Sequence, residues 1–211
     1  MSSEQQNIKV WDILVRIFHW SLVIAFSTAY LTSEEDNEIH IYAGYTVLGL
    51  IIFRVFWGFY GTQYARFRSF MTSPFTMFDY VNSLSSKNPK RYIGHNPAGG
   101  WMVVIMLITL FFVTYSGLEI YALEKGKGPL AVEVGGISPI SSANAKEDDE
   151  QKVIDDSTEE DEEYWGEVHE TATNFMLFLI AVHIAGVVIT SKIHNESLAK
   201  AMLTGKKRFK K

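Results

Sequence analysis

The 211-residue chain contains no cysteine. That absence excludes a structural disulfide, a cysteine zinc site, an iron–sulfur cluster and the CxxCH attachment of haem c, so any haem is held non-covalently. Charge is missing too, from long stretches: residues 17–32, 39–53, 92–118 and 171–191 carry no Asp, Glu, Lys or Arg. These stretches hold no Ser-His-Asp set and no paired carboxylates, which removes the common hydrolytic chemistries. No cleavable leader is expected, because the N-terminus is polar and acidic with neither a basic start nor a small-residue cleavage site. The first apolar stretch would act as its own anchor.

Apolar residues make up 47% of the chain and mean hydropathy is barely positive, values ordinary for a soluble protein. The averages hide a segregation of charge. Residues 147–163 hold 11 acids against the single base Lys152, a net of −10 within a chain of net −5, so the remainder is about +5. Between these extremes lie spans of about 13–32, 39–58, 98–121 and 166–191. Each is long enough to cross a hydrocarbon core of about 30 Å as a helix. The expected fold is all-α: a transmembrane four-helix bundle in membrane lipid, forming one membrane domain over 1–211. Arg16 and Arg54 sit near span ends, where anchoring at the interface is slightly favoured over pairing with the propionates of a haem.

Orientation follows from Lys and Arg in the connections. The link between the second and third spans carries Arg66, Arg68, Lys87, Lys90 and Arg91, and the tail carries Lys192, Lys200, Lys206, Lys207, Arg208, Lys210 and Lys211. The first link has Glu34, Glu35, Asp36 and Glu38 and no base. Both termini are therefore expected on the cytoplasmic side, with 192–211 a basic tail. Residues 124–164 are expected to form an acidic periplasmic loop, exposed and partly mobile. Trp11, Trp57, Trp101 and Trp165 fall near span ends, as an aromatic belt requires. Residues Pro74 to Leu84 have the spacing of a short helix lying on the membrane surface.

Four histidines lie at matched depths in these spans. His169 and His183 are 14 residues apart, close to four turns, so they share one helix face about 21 Å apart. With this topology His19 and His183 fall at one depth near the cytoplasmic side, and His40 and His169 at the outer surface. Neutral imidazoles ligate haem iron axially, and two of them give a six-coordinate iron suited to electron transfer. The expected site is thus two non-covalent haem b groups, an inner one on His19 and His183 and an outer one on His40 and His169. Gly44, Gly49 and Gly186 fall within spans, where helix packing is favoured over the approach of a macrocycle. His95, in Gly94-His95-Asn96-Pro97, reads as a turn residue at the start of the third span, and His194 as an interfacial residue.

Four stretches resemble the bacterial cytochrome b561 family, which includes the cytochrome b subunits of nickel–iron hydrogenases. They are VWDILVRIFHW (10–20), HIYAGYTVLGLIIFRVFWG (40–58), GHNPAGGWMV (94–103) and VHETATNFMLFLIAVHIAGV (168–187). The resemblance implies a four-helix bundle with two haem b groups, ligated at His19, His40, His169 and His183. Two further stretches, EKGKGPLA (124–131) and HNESLAKAMLTGKKR (194–208), are similar to members paired with periplasmic dihaem cytochromes c.

The expected function is electron transfer across the bacterial cytoplasmic membrane, between the quinone pool and a periplasmic redox partner such as a c-type cytochrome. The acidic run would steer a basic partner toward the outer haem. Quinone is the expected substrate if the chain turns one over, and no nucleic-acid partner is expected. A hydrogenase membrane subunit is one alternative. A histidine-lined proton or metal transporter, of another class, is the second.

Overall fold

The computed structural model describes residues 5–33, 37–86, 89–131 and 147–210. Glu34, Glu35, Asp36, Lys87 and the stretch 132–146 of the expected loop lie outside the described residues. The elements run β1 (Gln5–Lys9), α1 (Ile13–Leu31), α2 (Glu38–Tyr60), a 3-10 turn (Phe67–Ser69), α3 (Pro74–Ser83), α4 (Pro97–Lys125), α5 (Glu147–His194), α6 (Leu198–Thr204) and β2 (Lys206–Lys210).

Local chemistry sets the helix starts. A helix leaves its first N–H groups without partners, and a short polar side chain at the cap supplies an acceptor. Asp12 Oδ1 accepts from Val15 N at 2.9 Å to open α1. Asn37 Oδ1 accepts from Ile39 N at 3.0 Å for α2. Asn96 Oδ1 accepts from Gly99 N at 2.7 Å for α4, whose first residue is Pro97. Proline fits there because its missing N–H would have had no partner.

Among the described residues, four helices are long and apolar enough to cross a membrane: Ile13–Leu31, Glu38–Tyr60, Pro97–Lys125 and Glu159–His194. The chain is a multi-pass membrane protein, and the exposure of its apolar side chains fits that. Ile24 is 67% exposed, Ile52 63%, Phe112 52% and Phe178 61%. So many exposed large apolar groups on long helices require an apolar solvent. Helix α3 forms as its spacing predicts, with Phe75 and Phe78 exposed and Tyr80 buried.

One expectation is corrected. The acidic run 147–163 is not a loop but the start of α5, which is 48 residues long. Carboxylates near a helix N-terminus complement its dipole, and no Gly or Pro interrupts the sequence between Glu147 and Trp165. The residues before it at the end of α4 do turn: Gly126 and Gly128 have φ of 59° and 98°.

The described chain divides into two compact units, Met1–Ile108 with Met176–Lys211, and Thr109–Phe175. In the first, α1 packs on α2. Val15, Phe18 and Ala25 of α1 and Ala43, Val47 and Ile51 of α2 are buried. The strands β1 and β2 pair antiparallel, from Gln5 opposite Lys210 to Lys9 opposite Lys206. This small sheet is an addition to the all-α expectation. It holds both ends of the described chain on one side, as an even number of spans requires.

Beside the sheet lies a core of Val10, Trp11, Val15, Ala65 and Ala201, with Ile8, Trp57, Tyr64, Ile93 and Met202 against it. Trp11 and Trp57 therefore pack in protein instead of standing in a lipid belt. Trp57 Nε1 donates to Asp12 Oδ2 at 3.2 Å, and Thr62 Oγ1 donates to the same oxygen at 2.5 Å. Gly205 ends α6 at φ 76°, and its carbonyl accepts from Val10 N and Trp11 N. A Cβ there would stand 2.6 Å from Trp11 O, so only glycine closes this turn. Glu196 pairs with Arg91 and, at 3.2 Å, with Lys207. Lys207 also donates to Tyr92 O at 2.9 Å. Lys207 and Glu196 are buried together and satisfy each other, while Arg91 stays partly exposed.

Candidate functional site

His19 on α1 and His183 on α5 both belong to the first unit, and their ring centroids lie 6.5 Å apart at an interplanar angle of 46°. The separation can be tested against chemistry. With each nitrogen about 2 Å from a metal and each centroid about 1.1 Å behind its nitrogen, two trans imidazoles stand about 6.3 Å apart, centroid to centroid. The observed spacing suits one metal between two rings and is too long for a ring–ring hydrogen bond. Among the described residues no three His, Asp or Glu side chains converge as a bare metal ion would need. A haem brings four equatorial nitrogens of its own, so two histidines suffice.

The other two histidines are held through their Nδ1 atoms. His40 Nδ1 lies 2.8 Å from Ala29 O. A carbonyl only accepts, so the imidazole donates, and Nε2 is the basic nitrogen. In the second unit His169 Nδ1 lies 3.1 Å from Ser116 Oγ, whose own hydroxyl donates to Phe112 O at 2.7 Å. Ser116 is fully buried, and Gly117 leaves room for the ring, since a Cβ there would stand 3.2 Å from His169 Cε1. A histidine fixed at Nδ1 by a hydrogen bond is the usual arrangement of a metal ligand.

Gly44 is one turn from His40 and Gly186 one turn from His183. Neither has an atom within 4 Å of the position a Cβ would take, and nor does Gly49. Helix packing within the chain, the favoured expectation, does not account for them. A flat ring lying against a helix beside its ligand does require a small residue at such a position.

Arg54 turns out differently from its sequence reading. It is only 3% exposed, so it is no interfacial anchor. The link after α2 folds back over it and sets the Phe67 ring 5.0 Å from its guanidinium carbon. Asn96 caps α4, and His95 lies in the turn before that helix, as its sequence reading has it. Its ring stands 4.5 Å from the rings of Trp11 and Phe70. Burial, and then the nearby charges of Arg54, Lys207 and His183, push its imidazole down to about 3. Arg16 Nη1 donates to Leu203 O, which ties α1 to α6. His95 carries no periodicity or charge that marks it, and the only signal was its place in a Gly-His-Asn-Pro turn.

Membrane-length helices with two histidines whose spacing would suit a shared haem iron fit one class: a membrane cytochrome b, built for electron transport through haem. A sequence model of the prokaryotic cytochrome b561 family matches residues 10–205, and the chain belongs to that family. Membership implies haem b, which the histidines above fit. The chain is 23% identical over 238 aligned positions to a probable Ni/Fe-hydrogenase B-type cytochrome subunit of Azotobacter vinelandii, covering 98% of this chain and 91% of that one. It is 25% identical to a protein of the same description from Rhizobium leguminosarum bv. viciae, over 59% of this chain and 64% of that relative's length. No solved structure matches.

Proposed function

We propose that this protein conducts electrons across the bacterial cytoplasmic membrane through two bis-histidine haem b groups. His19 and His183 would hold the inner group, and His40 and His169 the outer one. The 6.5 Å spacing of the His19 and His183 rings is the observation that carries the reading. When bound, haem iron supplies a one-electron couple at each site. The chain's own residues fix the rings, keep water out with apolar helices and set the charge around each site. Both termini would face the cytoplasm, by the Lys and Arg bias of the links.

The electrons would pass between the quinone pool and a periplasmic redox protein. A c-type cytochrome is favoured by the acidic start of α5, a field that would steer a basic partner. Subunit membership in a hydrogenase is the second reading, supported by the similarity to probable Ni/Fe-hydrogenase cytochrome subunits. Co-purification separates the two.

The test is a dithionite-reduced minus oxidised spectrum with a pyridine haemochrome assay on the detergent-solubilised protein. About two haem b per chain are expected, with half lost in His19→Ala and half in His40→Ala. One haem would remove one histidine pair from the reading. None would bring the transporter forward.

A further inference from the structure

Among the described residues, Arg16 Nε, Arg54 Nη1 and His95 Nδ1, in the unit that holds His19 and His183, are buried without a hydrogen-bond partner, as is His19 Nδ1 itself. They come from three separate segments of one unit, α1, α2 and the turn before α4. Arg16 lies one turn from His19 on the same face of α1. His95 feels the charges of both Arg54 and His183. An unpaired buried guanidinium nitrogen is costly, and such donors persist where something anionic meets them. Asp12 acts on Arg54 through its charge but makes no hydrogen bond to Nη1. Its carboxylate already accepts from Val15 N, Trp57 Nε1 and Thr62 Oγ1. The Phe67 ring covers the guanidinium without accepting its N–H groups in plane. A lipid phosphate is a poor fit to a side chain 3% exposed.

The only charged groups on the periphery of haem b are its two propionate carboxylates. A guanidinium fork matches a carboxylate better than any other side chain does. We propose that Arg54, with Arg16 and His95 as further donors, seats the propionates of the haem held by His19 and His183, and that this positive surround raises that haem's potential. The proposal rests on the dihaem reading and adds residues that do not touch iron.

Redox potentiometry on the purified, detergent-solubilised holoprotein tests it, with His19→Ala showing which reductive step belongs to the inner haem. Arg54→Gln should move that step alone to lower potential, because a lost cation favours the ferric form. It should also speed transfer of that haem to apomyoglobin by about tenfold, the scale of one charge-assisted hydrogen bond. Arg54→Lys keeps the charge and should restore the potential but not the slow transfer, since an ammonium lacks the fork. Arg16→Gln should give a smaller downward shift. His95→Phe, which keeps the ring stack, should give the smallest. An Arg54→Gln protein with both steps in their wild-type positions, or with the other step moved, overturns the proposal. If Arg54→Gln does not fold, unshifted potentials in Arg16→Gln together with unchanged haem transfer in Arg54→Lys overturn it equally. Failure of the dihaem reading would show separately, as a wild-type protein without two steps.

Discussion

The two ends of α1 and α2 are built on different principles. At the end closed by β1 and β2, residues far apart in sequence converge: Asp12 with Trp57 and Thr62, Glu196 with Arg91 and Lys207, His95 with Trp11 and Phe70. At the other end His40 is fixed by Ala29, 11 residues away across a short link. In the second unit, His169 is held from Ser116 on α4. The closed end is a small core with buried charge. On the membrane helices, His40 and His169 are each held at Nδ1 by a hydrogen bond. The first kind of site is tuned by net charge, and the second by the hydrogen bond at the imidazole.

The largest effect should come from breaking the charged core. Glu196→Gln leaves Lys207 buried against a neutral partner, and about 3–5 kcal/mol of stability should be lost. Thermal unfolding of the detergent-solubilised protein would show it. A midpoint within a degree of wild type would mean that this end is not the structural keystone.

Asp12 comes next. Asp12→Ala removes the cap of α1 and the acceptor for Trp57 and Thr62, which should cost about 1–2 kcal/mol. Burial alone would raise the Asp12 carboxyl. The bonds from Thr62, Val15, Trp57 and Leu14 together outweigh it and hold it below its ordinary 3.8. A carboxyl depressed by folding stabilises the protein fully above the unfolded value. That contribution disappears as pH falls through the folded one. Asp12→Asn should therefore be less stable than wild type at neutral pH, with the difference closing below about pH 3.8. A difference that persists unchanged in acid would remove the ionised Asp12 from the account.

The smallest effect belongs to the second unit. Ser116→Ala deletes the acceptor for His169 Nδ1, at about 1 kcal/mol. The ring becomes a weaker base, so the outer haem's potential should rise while both haems remain. Arg54→Gln should lower the inner one. Opposite signs from the two variants would sharpen the contrast between the two kinds of site, and equal signs would erase it.

The spans were legible, and the four histidines could be read as candidates, because each rests on local information. A charge-free run of membrane length and a 14-residue spacing need no knowledge of partners. Arg54 was not legible. Whether an arginine near a span end snorkels or is buried depends on where the link after it folds, and Phe67 covers it only in the folded chain. His95 was missed for the same reason: its neighbours Trp11 and Phe70 lie 84 and 25 residues away. The acidic run was misread because composition alone made it a loop, although Glu favours helix when an adjoining apolar helix supplies the nucleus. The strands β1 and β2 are short and carry little apolar alternation, so only their pairing identifies them.

That pairing has a consequence for the order in which the protein is made. Gln5 is synthesised 205 residues before Lys210, its partner. Contacts that remote in sequence form late. β1 precedes all four membrane helices and β2 follows them, so all four are made before the sheet can close. Slow exchange of the β1 amides that bond to β2 would report that closure.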